Sequence, residues 1–112
     1  MSSKPAVFFE AQAIPAAETV VYTSPASIAS IVNKFGGVNT STTAIQVTVK
    51  VVPQGVSAAA SHVLVNTRTL LAGESYGFPE IVGQTLNPGD FISVLPSATG
   101  LNLRGSGVQV GV

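Results

Sequence analysis

The groups in this chain best suited to acid–base, nucleophilic or metal chemistry are one histidine, five carboxylates and a scatter of serines. A protein zinc or iron site needs three or four ligands drawn from His, Cys, Asp and Glu. His62 is the sole histidine, there is no cysteine, and none of Glu10, Glu18, Glu74, Glu80 and Asp90 stands at a ligand spacing from it. A metal-binding cupin, which uses several histidines, is disfavoured on the same ground. A Ser-His-Asp set can be assembled on paper from His62, Asp90 and a serine. No serine, however, occupies the strained glycine-flanked turn that hydrolases use. Ser106, within Gly105-Ser106-Gly107, has its glycines at the wrong spacing. A glycosidase needs two facing acids, and with no Trp and two Tyr the surface for stacking a sugar is thin. Gly36-Gly37 and Gly73 are not followed by the Gly-Lys-Ser/Thr of a phosphate loop, and Arg68 and Arg104 are isolated. The expectation is a structural or binding protein rather than an enzyme, with no catalytic, cofactor or metal site.

Composition points the same way. The 112 residues fit one domain, and 46% hydrophobic residues supply one core. Charged residues make up 9%, against about 25% in an ordinary domain. Five basic residues balance five acidic ones, so no electrostatic footprint for nucleic acid is present. No apolar run approaches the ~20 residues of a membrane helix, and the N-terminal stretch makes a poor signal peptide. A soluble chain made in a cytoplasm is expected. So few charges admit two readings: a neutral surface covered by Ser, Thr, Asn and Gln, or a surface largely covered by other subunits. Interface cores are depleted in Lys, Glu and Asp, which favours the second.

The elements that must carry any surface are strands. Valine, Thr and Ser are abundant, and β-branched residues suit a pleated sheet. Strands are expected over Ala6 to Ala13, Glu18 to Ser24, Ile28 to Phe35 (with a phase change near Ser30), Thr43 to Val52, His62 to Leu70, Tyr76 to Pro79, Phe91 to Leu95 and Leu101 to Val112. The cleanest is Thr43 to Val52. There Ile45, Val47, Val49 and Val51 alternate with Gln46, Thr48 and Lys50, the period of a half-buried antiparallel strand. Gly36 to Ser41 reads as a loop, and Asn87-Pro88-Gly89-Asp90 as a type II turn. In the last strand Leu101 and Leu103 are odd-numbered, while Val108, Val110 and Val112 are even. Burying both sets needs a phase change, predicted as a β-bulge at Gly105-Ser106-Gly107. About eight antiparallel strands imply an all-β sandwich of jelly-roll type, with an immunoglobulin-like sandwich as the alternative. Residues 1–17 form an N-terminal arm and first strand, and residues 18–112 the sandwich body. Phe8 and Phe9 are adjacent, so one of them is expected to face away from the core unless the strand is buried on both sides. Val7, Phe8 and Phe9 are therefore the candidate subunit interface.

One resemblance rests on named motifs. Thr19-Val20-Val21-Tyr22-Thr23-Ser24-Pro25-Ala26 is followed by Val47-Thr48-Val49-Lys50-Val51-Val52-Pro53-Gln54-Gly55, then by Leu71-Ala72-Gly73-Glu74-Ser75-Tyr76 and Leu86-Asn87-Pro88-Gly89-Asp90. This order resembles small β-sandwich virion proteins of tailed bacteriophages, over roughly residues 18 to 110. Ser27 departs from the pattern, where a glycine often stands. The resemblance implies a capsid cement or decoration subunit on the virion surface, synthesised in the host cytoplasm. Its partners would be the major capsid protein and further copies of itself, as a trimer or dimer, with no nucleic acid, membrane or cofactor. The alternative is a tail- or fibre-associated module that binds a host glycan or another virion protein.

Overall fold

The computed structural model describes Ser3–Gly111, and the strands within it are β1 (Ser3–Ile14), β2 (Thr19–Thr23), β3 (Ile28–Asn39), β4 (Ile45–Val52), β5 (Val63–Leu70), β6 (Ser75–Tyr76), β7 (Thr85–Leu86), β8 (Phe91–Pro96) and β9 (Leu101–Gly111). A single 3-10 turn, Ala60–His62, precedes β5. All pairings are antiparallel. One sheet has the order β1-β9-β3-β6, with β7 also on β3, and the other the order β2-β8-β4-β5. The chain is thus an all-β sandwich of two antiparallel sheets, called here the first and second sheet.

Alternation fills the space between them. Ile45, Val47 and Val49 point inward from β4 and are fully buried, together with Ile92 and Val94 of β8 and Leu101 and Leu103 of β9. Phe35 carries two edge-on aromatic contacts, to Phe9 at 5.6 Å and to Phe78 at 5.2 Å between ring centres. A hydroxyl relay crosses the core at one end. Gln109 Nε2 donates to the Tyr22 hydroxyl, which lies 2.7 Å from Ser30 Oγ, itself 2.8 Å from Ser24 Oγ. Ser24 Oγ in turn donates to the Ile28 carbonyl oxygen. Each hydroxyl can therefore accept once and donate once, and the buried Ser24 and Ser30 are both satisfied.

Several sequence expectations are corrected. Gly36 and Gly37 lie inside β3, not in a loop. A Cβ on Gly37 would strike the Leu103 side chain and stand 3.1 Å from the Phe78 ring, so this glycine serves packing rather than turning. The phase change of β3 falls at Asn33, between Val32 and Lys34, and not near Ser30. β9 carries no bulge. Leu101, Leu103, Gly105 and Gly107 are buried in unbroken alternation, and it is the neighbours that shift register beside the glycines, β3 at Asn33 and β1 at Phe8. The reason is space: a Cβ on Gly105 would meet the Phe9 ring, and one on Gly107 would stand 2.8 Å from the Phe8 ring. The strand expected at Tyr76 to Pro79 is reduced to Ser75–Tyr76, because Phe78 takes a positive φ of 46° and turns into the core, fully buried. Thr85–Leu86 is a strand that the pattern did not announce. In β5 the alternation expected through Thr67 breaks. Thr67 has φ 47°, and the register slips there by one residue, so Arg68 rather than Thr67 takes the inward phase opposite Val47.

The turn at Asn87-Pro88-Gly89-Asp90 closes as expected, with Gly89 at φ 87° and the Asp90 N–H donating to the Asn87 carbonyl oxygen. Ser27, the departure from the glycine pattern, has φ 62°. An L-residue there costs roughly 1–2 kcal/mol, and a β-branched side chain tolerates it least. Ser27→Gly is expected to match or exceed the parent's stability, while Ser27→Val lowers it by about 1–2 kcal/mol in urea unfolding. Equal midpoints for both variants would contradict the strain.

Candidate interaction surface

Directly opposed residues of an antiparallel ladder share a face, so the pairings with β9 define the outer face of the first sheet. β9 presents Asn102, Arg104, Ser106, Val108 and Val110, none of them fully buried. Opposite Val108 stand Pro5 and Ile31, opposite Val110 stand Ser3 and Ala29, and opposite Ser106 stand Val7 and Lys34. One end of the face is therefore apolar, built on Val7, Ile31, Val108 and Val110. Ile31, Val108 and Val110 are half-buried, and Val7 is 46% exposed. No part of the described chain is paired over this face.

The other end is a trough. Gly36 lies opposite Arg104, and Val38 lies opposite Asn102 and Ser75. Neither Gly36 nor Gly77 has any atom within 4 Å of where a Cβ would sit. A shallow cleft of about 470 Å³ opens there, and a second of about 370 Å³ lies beside Val7, Asn33 and Ser106, with Arg104 lining both. The Arg104 Nε stands 3.9 Å from Glu10 Oε1, and both side chains are at least half exposed.

Beside the trough, a polar clasp spans the open edge of the sandwich. The Arg68 guanidinium of β5 lies 4.1 Å from the Tyr76 ring centre, a cation–π contact between the edge strands of the two sheets. The Tyr76 hydroxyl donates to both Glu80 oxygens, at 2.7 and 2.9 Å. Desolvation, the Glu80 hydrogen bond and the Glu80 charge raise the Tyr76 phenol above its usual range, outweighing the Arg68 charge. The Tyr76 hydrogen bond, with smaller help from the Arg68 charge, holds the Glu80 carboxyl below its own.

Of the residues singled out from the sequence, Val7 lies on the outer face. Phe8 and Phe9 do not straddle the strand. The β1 bulge turns both toward the core, where Phe8 stacks on Tyr22 at 4.2 Å between ring centres and Phe9 is buried. The His62 Nδ1 accepts from the Ala59 N–H and closes its own turn. Asp90 accepts the backbone N–H groups of Gln54 and Asn87 and so braces its corner. Ser106 stands on the outer face. No cluster of three or more His, Asp or Glu side chains placed to hold a metal occurs among the described residues. The sequence reading missed Ile31, Val108 and Val110 as surface residues. Unbroken alternation from Asn102 would have placed Val108 and Val110 outside, had the preference for burying valine not been given precedence.

The opposite face, on the second sheet, is more polar at its centre. Lys50 pairs with Glu18 at 2.8 Å, across β8 where Ser93 stands. No family model, curated protein or solved structure matches the chain.

Proposed function

We propose that this chain is a structural subunit of a bacteriophage particle, a capsid decoration or cement protein that holds the shell through protein–protein contacts. The observation that carries the reading is the half-apolar outer face of the first sheet, on a chain with 9% charged residues. A free-standing domain keeps such faces wet with many charges of both signs, whereas interface cores shed them. The strand orders add support. β1 and β2 belong to different sheets, while the first two strands of an immunoglobulin-like domain pair within one. The orders β1-β9-β3-β6 and β2-β8-β4-β5 suit a jelly roll, an architecture used in viral capsids. The motif resemblance points to the same class.

The test is copy number in purified particles of the phage or prophage that encodes the chain. Quantitative mass spectrometry is expected to return on the order of hundreds of copies per particle, as a shell with repeated symmetry requires. About a dozen copies would instead support a tail or fibre module binding a host glycan or another virion protein. Absence from the particle would sink both.

A further inference from the structure

We infer that the first sheet's outer face takes a different protein, one that presents carboxylates beside an apolar patch, and that Lys34 and Arg104 select it. This deepens the structural-subunit reading and rests on it in taking that face for an interface. A net charge of zero hides how the charges are used. Four of the five side-chain carboxylates are engaged within the chain. Glu18 holds Lys50, Glu74 accepts the Leu71 N–H, Glu80 accepts the Tyr76 hydroxyl, and Asp90 accepts the N–H groups of Gln54 and Asn87. The fifth, Glu10, is exposed and stands 3.9 Å from Arg104. Of the cations, Lys50 is paired, Arg68 lies over Tyr76, and Lys4 stands opposite Gln109, off the outer face. Lys34 and Arg104 remain, and both are exposed on that face. Lys34 lies opposite Ser106 and Arg104 opposite Gly36. The two cations are thus diagonal neighbours, about 7–8 Å apart, within about one screening length in physiological salt. Among the described residues Lys34 has no ion-pair partner.

The cleft of about 370 Å³ opens beside these cations, lined by Arg104, Ser106, Asn33 and Val7 among others. Asn33 and Ser106 bring an amide and a hydroxyl, donors that suit a carboxylate. Past Ser106 the face turns apolar through Val7, Val108, Ile31 and Val110. Its occupant must therefore supply negative charge and apolar surface side by side. A second copy does not. Each copy brings two cations and one carboxylate to this face, so two copies face to face set four cations against two carboxylates. Nucleic acid would answer the cations but lay a charged backbone on the apolar end, and two cations release few counterions. The second sheet's outer face also exposes Val20 and Leu95. Its lysine, however, is already held by Glu18 at 2.8 Å, so no unmatched charge there selects an occupant.

The test titrates a short capped peptide that alternates glutamate with valine, and its lysine counterpart, into the isotope-labelled chain at low salt. The glutamate peptide is expected to shift the amide signals of Asn33, Lys34, Arg104 and Ser106, and the lysine peptide to leave them in place. Lys34→Glu with Arg104→Glu, exposed changes that spare the core, should weaken the glutamate peptide at least about tenfold and pass the response to the lysine peptide. Gln46→Glu, on the second sheet, should change neither response. An equal response to both peptides, or none to either, overturns the inference. So does a duplex oligonucleotide that shifts the same amides more strongly than the glutamate peptide. A parent that sediments as a dimer, dissociated by Val108→Asp, gives the face to a second copy and overturns it as well. If the chain is abundant in particles and the charge-reversed variant joins them in full number, this partner is removed and the particle reading stands. The expected peptide responses from a chain absent from particles do the reverse.

Discussion

Asn39→Ala is expected to lower the unfolding free energy by about 3–4 kcal/mol, a large share of the stability of a domain this size. Asn39 ends β3 and is fully buried. Its Nδ2 donates to the carbonyl oxygens of Thr43 and Leu70, at 2.7 and 3.0 Å. Its Oδ1 accepts the Ser41 N–H and the Ser41 hydroxyl, at 2.9 and 2.7 Å. The backbone joins in as well, since the Asn39 N–H donates to Glu74 and its carbonyl accepts from Gly73. One side chain therefore ties the β3–β4 connection to the end of β5. Alanine would leave the buried Leu70 carbonyl and the half-buried Ser41 N–H without this partner, while the Thr43 carbonyl keeps the Ser41 hydroxyl at 2.8 Å, and each unsatisfied group costs about 1–3 kcal/mol. Asn39→Asp is expected to do no better, because a carboxylate offers no donor to the two carbonyls. Urea denaturation checks both, and a loss below about 1 kcal/mol in Asn39→Ala would show that water replaces the side chain at little cost.

The second large effect is expected at Gly107. A Cβ there would run into the Ile31 carbonyl oxygen, a backbone atom within the paired β3, and stand 2.8 Å from the Phe8 ring. A ring can swing aside, but a laddered strand cannot move without breaking hydrogen bonds. Gly107→Ala should therefore cost about 3 kcal/mol or more, or abolish cooperative unfolding. Gly77→Ala is the matched control, because its Cβ would meet nothing within 4 Å and its φ is not positive. That variant should stay within about 0.5 kcal/mol of the parent. Equal losses at both positions would mean that lost chain flexibility, and not the close approach of β9 to β3, governs these glycines.

By itself the sequence determined the fold class and most of the strands. The alternation of Ile45, Val47, Val49 and Val51 is a local record of one wet and one dry face, and the structure keeps it, with the first three fully buried. The turn at Asn87 to Asp90 was legible for a similar reason, since proline and glycine state their own φ preferences. What only the tertiary structure decided was which neighbour yields where strands meet. Glycine permits a close approach as readily as a turn, so Gly36-Gly37 read as a loop and Gly105-Ser106-Gly107 as a bulge. Both lie in continuous strands whose missing side chains make room for Leu103, Phe8 and Phe9. That choice set the phase of β9 and left Val108 and Val110 outside, beside Ile31. The physical reason is that a bulge is a property of two paired strands. The extra residue goes to whichever strand bends with less strain, and no single strand's pattern records its partner's shape.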